Sequence, residues 1–167
     1  TSWEVHHNSA RTGVRLVGPK PRWARLDGGE AGLHPSNIHD NAYAIGAVNF
    51  TGDMPVVLGP DGPSLGGFVC PAVVAKAQLW KLGQLAPRDR VRFVPVSLEA
   101  ATAAEQSQDR AVLEIRAPVR TRVASGPSFA RPLAEPVLWR TEVVGGTGVS
   151  VRPAGDRYLL VEFGPNV

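Results

Sequence analysis

The sequence predicts a mainly β fold, a small barrel or sandwich of short strands with few and short helices. Eighteen glycines and fifteen prolines stand among 167 residues, a density that breaks a chain into many tight turns. Up to about residue 96 the apolar residues come in runs of roughly three to seven, rich in β-branched and aromatic types and bounded by Gly or Pro.

The expected strands follow in chain order. They are Trp3-Glu4-Val5, Gly13-Val14-Arg15-Leu16-Val17, and residues 44–50, 55–58, 67–69 and 91–96. One helix interrupts them at 72–82, where Val73, Ala77 and Leu79-Trp80 recur at near-helical spacing, with Pro71 at its start and Gly83 at its end. A turn at 86–89 leads into the last of these strands. Residues 97–114 read as a polar helix, because Ser97 suits the N-cap, Glu99 suits the first turn and alanine is abundant. Pro118, Pro127, Pro132 and Pro136 then mark 117–148 as a linker with little regular structure. Residues 149–163 read as a hairpin turning at Ala154-Gly155-Asp156.

Composition narrows the function classes. A hydrophobic fraction of 43% and a charged fraction of 20% belong to a globular protein. No apolar run suits a membrane span, and no signal-peptide core opens the chain. The net charge of +3 is scattered, which disfavours nucleic acid as a partner. The single cysteine, Cys70, excludes an internal disulfide and fits a reducing cytoplasm.

The segment from His34 to Pro71 concentrates the candidate site. It sets His34, Asn37, His39, Asp40, Asn41, Tyr43, Asn49 and Asp53 among short apolar runs. Buried polar groups without partners cost about 1–3 kcal/mol each, so such density beside strands points to a small-molecule site. Several sharper motifs fail on inspection. The spacing of His34 and His39 fits neither HExxH nor a zinc-finger pair, so no metal is expected. The Gly-rich stretch 59–67 lacks the Lys-Ser/Thr of a P-loop and reads as turns or close backbone approach, with an anion cradle as the alternative. Gly62-Pro63-Ser64-Leu65-Gly66 matches the G-x-S-x-G string, but prolines and glycines break the strand and helix that must flank it. Cys70 has no basic neighbour in sequence and reads as a buried structural thiol. Arg15, Lys20, Arg22 and Arg25 surround Trp23, either as a solvated loop or as an Arg fork for a carboxylate.

Residues 3–19 (WEVHHNSARTGVRLVGP), HPSNIHDNAYAIGAVNFTGDMPV and GPDGPSLGGFVCP together resemble the carboxyltransferase region of urea carboxylases, the biotin-dependent half of urea amidolyases. The resemblance is to the domain termed allophanate hydrolase subunit 2. It implies a cyclophilin-like β-barrel, partial here, with 1–96 as the C-terminal half of that domain. Residues 97–148 would then be a helix and connection, and 149–167 the first strands of a subunit 1-type domain. The chain, opening at Thr1 and closing at Val167, is expected to be cut from something longer. Unpaired barrel edges would be stabilised by missing segments, a partner or self-association.

The activity so implied moves CO2 from carboxybiotin to urea, giving allophanate. Biotin would sit on a carrier domain, and ATP would be used by a biotin carboxylase domain, both outside this chain. No Met-Lys biotin acceptor and no ATP-grasp sequence is present, so the fragment is expected to be inactive alone. No amidase Ser-Ser-Lys set is present either, so the hydrolase label of the domain does not imply amide hydrolysis. In that chemistry His34, Asn37, Asn41, Tyr43, Asn49 and Arg15 would bind substrate. His39, Asp40 and Asp53 would be catalytic, with Asp40 or Asp53 accepting a urea N–H. Two alternatives remain: a subunit of an ATP-dependent 5-oxoprolinase-type complex, and a non-catalytic regulatory module of the same family.

Overall fold

The computed structural model describes residues 1–25, 28, 33–115, 137–143 and 147–164. As expected, strands dominate. The first half carries β1 (Trp3–Val5), β2 (Gly13–Val17), β3 (Asn37–Ala42), β4 (Val48–Thr51), β5 (Met54–Leu58), β6 (Leu65–Phe68) and β7 (Arg90–Val91). Five form an antiparallel sheet in the order β4-β5-β2-β1-β7, and β3 pairs with β6. The chain leaving β6 stitches the two together: Phe50 N–H bonds Val69 C=O at 3.0 Å, Val48 N–H bonds Ala72 C=O and Val74 N–H bonds Gly46 C=O. The resulting row is open, with β3 and β7 as its ends among the described residues, so closure into a barrel is not seen.

Two-residue periodicity sorts the sheet into two faces. Val14 pairs with Val57, which pairs with Val48, and Val5 pairs with Leu16. These five are buried and make one core, against which Trp3, Phe50, Val74, Leu82, Leu85 and Val91 pack. Leu16, Val5 and Val57 are essentially inaccessible, and burial of each contributes roughly 1.5–3 kcal/mol. The opposite face carries Gly13 and Arg15, Asn49 and Thr51, and Val56 and Leu58, all of which line a cavity.

The expected helix at 72–82 is shifted and of another kind. A 3₁₀ helix spans Lys76–Gln84, because Ala72 to Val74 are extended and hydrogen-bonded along the edge of β4. Leu79, Leu82 and Leu85 recur every three residues, the 3₁₀ period. Trp80 consequently faces solvent, at 57% exposure.

The second half holds α1 (Leu98–Glu114), capped as its sequence predicts: Ser97 Oγ accepts the Ala100 N–H at 3.2 Å. The expected linker lies largely outside the described residues, at 116–136 and 144–146. Residues within its bounds nevertheless form β8 (Trp139–Val143), which pairs with β9 (Thr147–Ala154), and β9 with β10 (Tyr158–Phe163). The turn of that last pair places Gly155 at φ +79°, where a Cβ would be strained. This turn is anchored to the first half. Both Asp156 carboxylate oxygens accept the Lys76 backbone N–H, at 3.0 and 3.1 Å. Glu105 of α1, 8% exposed, binds Lys76 Nζ at 2.7 Å and also pairs with Arg157.

Candidate functional site

A cavity of about 330 Å³ opens between the outer face of the sheet and the β3–β6 ribbon. Strand register assembles it. Arg15 pairs with Val56 and Val56 with Asn49, so Arg15 and Asn49 flank one residue on the same face although they are far apart in sequence. Thr51 follows Asn49 at a two-residue interval. Tyr43, just past β3, and Gly66-Gly67-Phe68 of β6 form the opposing wall, with Pro63 and Leu65 at the rim and Thr12 beside Gly13.

Close packing explains the glycines of this wall. A Cβ on Gly66 would lie 3.0 Å from the Tyr43 ring and hydroxyl, and one on Gly59 would lie 1.9 Å from the Arg11 carbonyl oxygen. The close-approach reading of the stretch 59–67 therefore holds at both positions. Tyr43 Oη accepts the Phe68 N–H at 2.7 Å, and burial pushes its phenol above the ordinary value. Asn49, 4% exposed, lies in a chain of bonds: Thr51 Oγ1 donates to its Oδ1 at 3.0 Å, and its Nδ2 donates to Cys70 Sγ at 3.5 Å. Burial pushes the Cys70 thiol up to about 11, so it stays protonated at neutral pH.

Among the described residues the lining contains no carboxylate, and Arg15 is its one charged side chain. It offers donors and hydroxyl oxygens against an apolar wall of Val56, Leu58, Leu65 and Phe68. Such a cavity suits a small, flat, carbonyl-bearing ligand with an anionic group within reach of Arg15.

Three of the sequence-derived residues, Arg15, Tyr43 and Asn49, meet in this cavity. His34 and Asp53 are brought together elsewhere. Asp53 Oδ1 accepts Trp23 Nε1–H at 3.0 Å and lies 3.4 Å from His34 Nε2, while Lys20 Nζ approaches Oδ2 at 3.1 Å. The Trp23 bond, then Lys20, hold the Asp53 carboxyl below the usual carboxylate range. On the far side of the ring, His34 Nδ1 lies 3.0 Å from Ser36 Oγ. The set Ser36–His34–Asp53 has the connectivity of a hydrolytic triad, but Ser36 is 0% exposed and its Oγ accepts the Gly52 N–H. A nucleophile must be reached by its substrate, so this cluster is a latch that ties residues 20–23 and 34–36 to the β4–β5 turn.

Asn37, His39, Asp40 and Asn41 lie on β3, which sequence reasoning missed because its residues, NIHDNA, form no apolar run. The ladder with β6 is irregular between Asn37 and Asn41. His39 and Asp40 are exposed, and none of the four lines the cavity. Sequence reasoning also passed over Thr12 and Thr51. The signal that could have found Thr51 is its two-residue spacing from Asn49, which puts both on one strand face. Among the described residues no three His, Cys, Asp or Glu side chains converge as metal ligands, and no helix is long and apolar enough to cross a membrane.

A family model described as the carboxyltransferase domain, subdomain A and B, matches residues 1–95, and this chain belongs to that family. The chain is 52% identical over 166 residues to a urea amidolyase of Saccharomyces cerevisiae, covering 98% of this chain and 9% of that protein. A putative urea carboxylase of Emericella nidulans is 40% identical over 174 residues, covering 97% of this chain and 14% of its own length. The crystal structure of the Kluyveromyces lactis urea carboxylase superposes with a TM-score of 0.85 at 50% identity, covering the whole of this chain and 15% of that one. The chain thus spans a small part of the proteins it matches.

Proposed function

We propose that this chain is part of the carboxyltransferase of a urea carboxylase, and that its cavity holds the ureido groups between which a carboxyl group moves to give allophanate. The observation that carries the reading is the convergence of Arg15, Tyr43 and Asn49 in one cavity, with no carboxylate in its lining among the described residues. The transfer joins two neutral planar groups and an anionic carboxyl, so it needs orientation and hydrogen-bond donors rather than a buried acid. The names and identities of the relatives favour urea as the acceptor over 5-oxoproline.

The donor set fits the cyclic urea of biotin, which when bound supplies the carboxyl group; its carrier and the ATP-using domain would lie elsewhere in the polypeptide. Arg15 has the planar fork that matches a carboxylate. Tyr43 and Asn49 hold carbonyl and N–H groups in one plane, and the apolar wall excludes water. His39 and Asp40, exposed on β3, are assigned to the rim that faces the rest of the enzyme.

The test measures urea-dependent carboxyl transfer in the full-length protein with Arg15→Ala. Loss of about 10–100-fold, with urea-independent biotin carboxylation unchanged, is the expected result. Equal loss of both steps would sink the reading.

A further inference from the structure

The backbone of one residue, Phe68, bonds two side chains at the cavity, Tyr43 and Cys70. A peptide N–H can only donate and a peptide C=O can only accept. The Phe68 N–H donates to Tyr43 Oη at 2.7 Å, so the Tyr43 proton is not used in that bond. The Phe68 C=O accepts the Cys70 thiol at 3.7 Å, which leaves the sulfur to accept. With the thiol proton turned to Phe68, Asn49 presents Nδ2 to Cys70 Sγ at 3.5 Å and Oδ1 to Thr51. Thr51 in turn must donate its hydroxyl proton to Oδ1, at 3.0 Å. Amide orientation is assigned from such networks, and this one begins at a peptide N–H and C=O and passes through the Cys70 thiol.

Two side chains are left with opposite capacities in the same cavity. The Asn49 side chain also donates to Tyr43 Oη, so the Tyr43 O–H itself is left to donate, and Thr51 Oγ1 has a lone pair to accept. We infer that Tyr43 and Thr51 together read the edge of a ureido group, Tyr43 donating to its carbonyl oxygen and Thr51 accepting its adjacent N–H. Cys70 is a positioning residue that fixes this polarity through Asn49. The inference rests on the ureido reading of the cavity and adds Thr51 as a ligand-contacting residue.

The test is a ligand-observed NMR titration of the full-length protein with 2-imidazolidinone and with its N,N′-dimethyl derivative, which keeps the carbonyl and lacks both N–H groups. The wild type should bind the dimethyl compound about tenfold or more weakly, since a site built to accept an N–H rejects an analogue without one. Thr51→Val keeps the shape and loses the acceptor, so its discrimination should fall to about twofold, while Thr51→Ser restores it. Cys70→Ala should erode discrimination and Cys70→Ser, which can both donate and accept, should retain it. If methyl groups are excluded by size alone, Thr51→Val will discriminate as the wild type does, and the inference is overturned. It is also overturned if the wild type fails to bind 2-imidazolidinone. A wild type that discriminates the probes yet transfers no carboxyl to urea overturns the reaction proposed above and supports the polarity.

Discussion

Two polar clusters draw on the same stretch of chain, residues 34–53, and they differ in what their hydrogen bonds leave over. The latch around Asp53 joins an acid, a lysine, a histidine, an indole N–H and a buried serine, and these groups satisfy one another. The cavity around Asn49 is poorer in charge, but Tyr43, Thr51 and Arg15 keep capacity directed at open space. Density of ionisable residues therefore marked the latch, whereas unused donors and acceptors mark the proposed site. A cluster that closes on itself holds the fold; one that remains open can hold a ligand.

Substitutions can break that contrast. The largest expected effect is at Tyr43: Tyr43→Phe should lower urea-dependent carboxyl transfer by about 100–1000-fold, the usual cost of removing one donor from a developing oxyanion. A loss under about threefold in steady-state assays would return the role to other residues. On the latch side, Ser36→Ala leaves the Gly52 N–H without its buried acceptor and should cost about 1–3 kcal/mol in chemical denaturation. Binding of 2-imidazolidinone by the folded fraction should not change.

The pH dependence sharpens the same comparison, because the two clusters fail at opposite ends of the scale. Asp53 titrates lower folded than unfolded, so its contribution is complete above the ordinary carboxylate value and is lost as pH falls through the depressed one. Asp53→Asn should flatten that acid limb in a thermal-melt series against pH. Cys70 shifts the other way, to about 11. Its contribution is present below the unfolded thiol value of about 8.5 and disappears as pH rises through the folded one. Thiol labelling at pH 8 should accordingly be slow in the native state and fast in denaturant. The smallest effects belong to His39→Ala and Asp40→Ala, exposed on β3, with stability changes within about 0.5 kcal/mol and activity within about threefold. A tenfold loss of activity in either would move the chemistry from the cavity to the β3 rim.

Much of the fold was legible. β1 and β2 stand where alternation and turn residues put them, the Ser97 cap was read from one side chain, and the last hairpin turns at Gly155. The misses share a cause. β3 has no apolar run, the extension of Ala72 to Val74 depends on the edge of β4, and β8 is a strand because β9 lies beside it. Each owes its structure to a partner distant in sequence, and local propensity carries no information about that partner.

The site divides in the same way. Sequence by itself determined the residue types, the two-residue spacing that puts Asn49 and Thr51 on one strand face, and the glycines that let β6 approach Tyr43. Only the tertiary structure decided which polar groups would be consumed. Strand register set Arg15 across from Asn49, and the Phe68 peptide donates to Tyr43 and accepts from Cys70 beside them. A side chain's chemistry is local, but its unused hydrogen-bonding capacity depends on every neighbour the fold brings to it.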